Sequence, residues 1–99
     1  MKFRNTDCFI VFEQSNKKEK KIEVQEANKP LPAGSVILAV FNFSEDNIVT
    51  TGVDSRSLSL YVKDVLLPAM NEECWASNET EQDILFYRMS LIKEYFPLS

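Results

Sequence analysis

SVILAVFNF, residues Ser35 to Phe43, holds no polar side chain from Val36 to Phe41, and Phe43 follows after a single Asn. Its β-branched and aromatic content is that of a strand. A strand with one wet face alternates apolar and polar residues, whereas one covered on both faces reads as an unbroken apolar run. The segment is therefore expected to be an inner strand that needs cover on two sides.

Upstream, DCFIVFEQ gives a second strand of the same kind, from about Cys8 to Glu13. Phe9 and Val11 point one way, and Cys8, Ile10 and Phe12 the other, so both of its faces are apolar too. SNKKEKK reads as a solvated turn. KIEVQEA alternates cleanly, with Ile22 and Val24 opposite Glu23 and Gln25, and suits a half-exposed edge. These two strands should form a hairpin. Lys17, Lys18, Lys20 and Lys21 keep that end of the sheet soluble and discourage edge-to-edge aggregation; a basic loop that touches nucleic acid or an acidic partner is the alternative. In NKPLPAG, Pro30 and Pro32 forbid helix and Gly34 breaks the pattern, which makes a connector.

Downstream of Phe43, IVTTGVD is a short extra strand or an extended lead-in. Asp54-Ser55-Arg56-Ser57 offers helix N-caps. Leu58, Tyr61, Val62, Val65, Leu66 and Ala69 then recur at helical spacing, and Pro68 should end or kink the helix near Leu67. NEECWASNE is a linker whose Trp75 either anchors an interface or plugs the gap between helices. Asn78-x-x-Glu81 or Thr80-x-x-Asp83 caps a second helix, with its apolar stripe running from Ile84 and Leu85 through Arg88, Met89, Leu91 and Ile92 to Tyr95 and Phe96. The order, strands first and helices after, is an α+β plan. We expect a small antiparallel β-sheet of about three strands followed by two α-helices, with residues 1–99 forming one module.

The chain has 99 residues, 44% of them hydrophobic and 26% charged, with a net charge of −4. This is the composition of a folded protein. The charge disfavours nucleic acid and anionic membrane as partners, and no apolar run approaches the length of a membrane span. MKFRNTDCFIVFEQS lacks the cleavage site of a signal peptide, so a cytoplasmic location is expected, with Cys8 and Cys74 as reduced thiols. Histidine is absent, which removes the commonest general base and metal ligand. No phosphate-binding glycine loop or nucleophile elbow occurs. The sequence points to no enzyme, cofactor or metal.

Two helices can cover one face of such a sheet. Each large apolar side chain left in water on the other face forfeits about 1.5–3 kcal/mol of burial, and monomers seldom expose large contiguous apolar patches. A second copy, packed sheet against sheet or edge to edge, would cover it. The pairing surface would use Phe9, Val11, Ile37, Ala39 and Phe41, or the opposite set Ile10, Phe12, Val36, Leu38 and Val40. The other readings are a second helix folded over to the far face, and a small cytosolic, viral or phage adaptor that binds an unrelated protein.

The stretch SVILAVFNFSEDNIVTTGVDSRSLSLYVKDVLLPAMN, Ser35 to Asn71, resembles the extreme N-terminal tail region of dynein heavy chains. The likeness rests on the apolar strand Val36–Phe43 ending in a polar turn, the segment Asn47–Gly52, and the helix Leu58–Met70 with Pro68 near its end. CFIVFEQS…KKIEVQEANKPLP resembles the short strand pair that precedes them. The resemblance implies a non-catalytic module that pairs two heavy chains, identical or different, at the cytoskeleton or in a cilium. The motor ATPase of such chains lies far downstream of this region.

Overall fold

The computed structural model describes residues 2–15, 19–52, 55–76 and 78–96. Strands β1 (Cys8–Ser15), β2 (Lys20–Glu26), β3 (Ser35–Asn42) and β4 (Asn47–Thr50) form one antiparallel sheet in the order β2-β1-β3-β4. Helices α1 (Ser55–Tyr61) and α2 (Leu67–Ala76) are joined by a π-helical segment, Val62–Leu66, and α3 (Glu79–Tyr95) follows. The class is α+β, as expected. The strand count is four rather than three, because Asn47–Thr50 pairs with β3 instead of serving as a lead-in. The β1–β2 hairpin forms with Lys17 and Lys18 outside the described residues. Asp54, an expected cap, lies outside them too.

Both helical layers sit on one sheet face. Phe9, Val11, Ala39, Phe41 and Ile48 supply the sheet side of the core, and Leu58, Val62, Leu66, Met70, Leu85 and Ile92 supply much of the helix side. Phenylalanine rings tie the layers together. Phe9 stacks on Phe41 with centroids 4.9 Å apart, Phe3 meets Phe9 at 5.4 Å, and Phe96 meets Phe41 at 6.1 Å. Such pairs add to the stabilisation that their burial gives.

The ladder corrects the face assignment drawn from strict alternation. Val11 pairs with Ala39 and Phe12 with Ile37, so Leu38 is an extra residue on β3. This β-bulge turns Leu38 into the core beside Ala39. It also moves Ile37 off the face that holds Phe9 and Val11.

Pro68 does not end its helix. A strict four-residue spacing, Leu58-Val62-Leu66-Met70-Cys74, is buried throughout. In a regular α-helix, steps of four drift by about 40° each around the axis. The wider π turn takes up this drift and keeps the row facing the sheet. Val65, expected in the core, is turned outward there and is 49% exposed.

The second face of the sheet has its own cover, which the sequence reading lacked. β2 and β3 run parallel to each other on either side of β1. The connector 27–34 must therefore travel the length of the sheet and pass over β1. Gln25 points away from the helices, and its Nε2 donates to the carbonyls of Lys29 (3.0 Å) and Pro30 (3.2 Å). That fixes the connector on the outer face. Phe12 is buried on this side, apart from the main core, and Leu31 is half-buried. Ile10, Ile37 and Val40 are half-buried as well.

Residues 2–7 are clamped between the helices. The Glu73 carboxylate accepts the backbone N–H groups of Phe3 (2.9 Å) and Arg4 (3.2 Å). Arg88 donates to the carbonyls of Phe3 and Thr6, both at 2.8 Å, and to Asp7 at 2.9 Å, while its guanidinium lies 4.9 Å from the Phe43 ring centroid. At the start of α3, Asn78 accepts the Glu81 N–H at 3.0 Å, which settles the two expected caps in its favour. Glu81 is left to pair with Arg4 at 3.4 Å.

Candidate functional site

The sequence-derived surface residues separate into two groups. Phe9, Val11, Ala39 and Phe41 lie beneath the helices in the chain's own core, so no partner reaches them without unfolding it. Phe12 is buried on the outer face, and Ile10 and Ile37 are half-buried there. Leu38, from the second candidate set, is also in the core, whereas Val36 is exposed. The outer face is thus narrower than alternation implies. Its apolar side chains include one row across three strands: Ile10 pairs with Val40, and Val40 with Val49. Val49, at the end of that row, is 52% exposed.

Among the described residues the sheet has two open edges, β2 and β4. In antiparallel ladders the residues whose backbone groups face the neighbouring strand alternate with those that face away. The Thr51 N–H donates to the Leu38 carbonyl at 3.1 Å. In that register Val49 and Asn47 bond to β3, and Ile48 and Thr50 turn their N–H and C=O groups to the open edge. On β2, the Ala27 N–H donates to the Cys8 carbonyl at 3.1 Å. Gln25, Glu23 and Lys21 then face β1, and Lys20, Ile22, Val24 and Glu26 face outward.

The two edges differ in chemistry. β2 carries Lys20, Lys21, Glu23 and Glu26, and charge on an edge strand opposes unplanned pairing. β4 reads Asn-Ile-Val-Thr and carries no charge. Next to it on the helix side, Tyr95 is partly exposed and Ile48 is buried; on the outer side stands Val49. The turn that leads into β4 places Asp46 at φ 50°, a left-handed conformation that Asp tolerates.

Neither thiol is poised for chemistry. Cys74 is buried and Cys8 half-buried, and both are unpaired. Burial pushes each thiol pKa up, with Glu73 and Glu45 respectively adding to the effect. A nucleophilic thiol needs the opposite shift. No group of three or more His, Cys, Asp or Glu side chains able to hold a metal occurs among the described residues. No described helix is long and apolar enough to cross a membrane. Trp75, left open by the sequence as anchor or plug, projects from the end of α2 and is 83% exposed, so it plugs no gap.

Compared with known protein families, with curated proteins and with solved structures, the chain finds no match.

Proposed function

We propose that this chain is a non-catalytic association module that pairs with a second copy of itself through the β4 edge. The observation that carries this reading is the contrast in side-chain charge between two edges that both turn backbone groups outward: β2 carries four charged residues and β4 none. The register of such a pairing follows from the ladder. Outward-facing Ile48 would bond Thr50 of the second copy, and Thr50 would bond its Ile48. A twofold axis then passes beside Val49. The two Val49 side chains meet as a directly opposed cross-strand pair, where Cβ atoms come within about 4.5–5.5 Å. The half-buried row Ile10-Val40-Val49 would continue across the junction into its copy, and the four-stranded sheet would become one of twice that width.

The likeness to the tail of dynein heavy chains supplies a setting for the same act, two heavy chains joined at the cytoskeleton or in a cilium. The pairing does not depend on that setting.

Sedimentation equilibrium at micromolar concentration tests the proposal. The parent chain is expected at twice its monomer mass. Val49→Lys, an exposed substitution on an edge strand, should give a folded monomer. Val49→Cys should form an interchain disulfide under mild oxidation that the parent, with Cys8 and Cys74, does not form. A parent chain that stays monomeric overturns self-pairing and favours the adaptor reading. A dimer indifferent to Val49→Lys overturns the β4 edge.

A further inference from the structure

The β4 edge is short for the task that self-pairing gives it. Its four residues extend about 14 Å. A stable dimer buries about 1,200–2,000 Å² in total, far more than two such strands cover side by side. A further layer of contact has to stand against the paired backbones. On the outer face Val49 and the row behind it supply part of that layer. The shortfall lies on the helix side. Ile48 is in the core and Thr50 shares its face, whereas Val49 points the other way. No β4 side chain therefore rises toward the helices at the twofold axis itself.

The nearest helix presents an aromatic ring to that gap. Ile48, the neighbour of Val49, shares a hollow of about 280 Å³ with Leu91, Glu94 and Tyr95 of α3. Tyr95 is 46% exposed. Its ring is braced: it meets Phe96 edge to face at 5.0 Å, and Phe96 is buried and packs on Phe41 in the core. A braced ring loses little conformational freedom when a partner covers it, and tyrosine is among the residues that dominate binding energy at interfaces. Charge tolerates the approach. In the β4 register Asp46 falls opposite Gly52 of the second copy, three residues from the axis, so the two Asp46 carboxylates are about 20 Å apart and screened from each other. Glu94 stands beside Tyr95 in each copy, and the mutual repulsion of this pair weakens the contact without abolishing it.

We infer that Tyr95 forms the helix-side half of the self-pairing surface and packs across the twofold axis against Tyr95 and Leu91 of the second copy. This contact rests on the β4 pairing and completes it: the valine pair lies on the outer face, the backbone bonds in the middle, and the tyrosines beneath the helices.

The test uses the full chain and sedimentation equilibrium. Tyr95→Asp, at a half-exposed position, should weaken dimerisation by about tenfold or more while the circular dichroism spectrum is kept. Tyr95→Phe should dimerise as the parent does, because the ring makes the contact. Glu94→Gln should tighten the dimer, by less as salt rises and screens the carboxylates; misfolding cannot produce a tighter dimer. Brief photo-oxidation with a ruthenium trisbipyridyl complex and persulfate joins tyrosine rings that touch, each ring losing one electron and one proton to the oxidant as a carbon–carbon bond forms. The parent should give a cross-linked dimer, and Tyr95→Phe should not. A parent chain that stays monomeric overturns the β4 pairing and the tyrosine contact together. A dimer that Val49→Lys dissociates but Tyr95→Asp leaves intact overturns the tyrosine contact alone. So does a cross-link that survives in Tyr95→Phe, and that result decides the matter if Tyr95→Asp fails to fold.

Discussion

Arg88 illustrates how one side chain can close a fold. Its side chain is only 9% exposed, whereas that of its ionic partner Asp7 is 74% exposed. A carboxylate so open to water contributes little, as exposed ion pairs do. The two carbonyls it binds, on Phe3 and Thr6, have no such access to solvent. Arg88→Met should therefore destabilise the chain by about 2–4 kcal/mol, since two buried acceptors lose their donors. Asp7→Asn should change stability by less than about 0.5 kcal/mol. Urea unfolding of the two variants measures the difference, and equal losses would show that the ion pair rather than the carbonyl bonds holds the segment. The sequence placed Arg88 on the inner stripe of its helix, which is where it lies. Its partners were out of view, because they are backbone atoms 82 and 85 residues away, and backbone acceptors leave no mark in a sequence. Glu73 was hidden for the same reason: it caps N–H groups in a segment with no regular pattern.

At the scale of elements, periodicity located the three expected strands and both helical stretches, but it took NEECWASNE for a linker, whereas α2 runs on through Asn71 to Ala76. The β-bulge at Leu38 inverted the parity of Ile37, which simple alternation cannot foresee in a run where every residue is apolar. The π turn had a visible signal, an apolar row spaced by four over Leu58 to Cys74, but Pro68 drew the reading toward a break. A proline inside a regular helix costs about 3 kcal/mol relative to alanine, from a missing hydrogen bond and a clash with the carbonyl one turn back. Pro68 is the second residue of α2 and follows directly on the widened turn, where the preceding carbonyls are already displaced from α-helical positions. Pro68→Ala should therefore raise stability by less than about 1 kcal/mol and leave the helix content unchanged. Urea midpoints and far-ultraviolet circular dichroism check this. A gain close to the full penalty would mean that the π turn does not accommodate the proline.

Across the whole molecule, the missing roof that the sequence demanded is supplied in part by a connector with no secondary structure. Composition marks 27–34 as a linker; only strand order reveals that it has to cross a face. The consequence for association is a shift from face to edge, since the covered face offers a partner little more than the row ending at Val49. Several groups distributed through the fold also set its response to alkali. The Tyr61 pKa is raised by burial and then by Glu23, and that of Tyr87 by its hydrogen bond to Asp46. The thiols of Cys8 and Cys74 are raised as well. A group whose pKa is higher folded than unfolded holds its proton longer in the folded state, so its stabilisation is complete below the unfolded value and is lost as pH rises through the folded one. Stability should accordingly fall from about pH 9 upward as thiols and then phenols titrate. Tyr61→Phe should flatten the decline above about pH 10, read as urea midpoints between neutral and alkaline pH; an unchanged slope would remove Tyr61 from the account. The clamp on residues 2–7 has a further meaning for synthesis. Its cationic half arrives some eighty positions after the segment it grips. A chain growing on the ribosome can pair its strands early, yet residues 2–7 stay undocked until α3 has emerged from the exit tunnel, so translation fastens this segment well after the sheet beside it has formed.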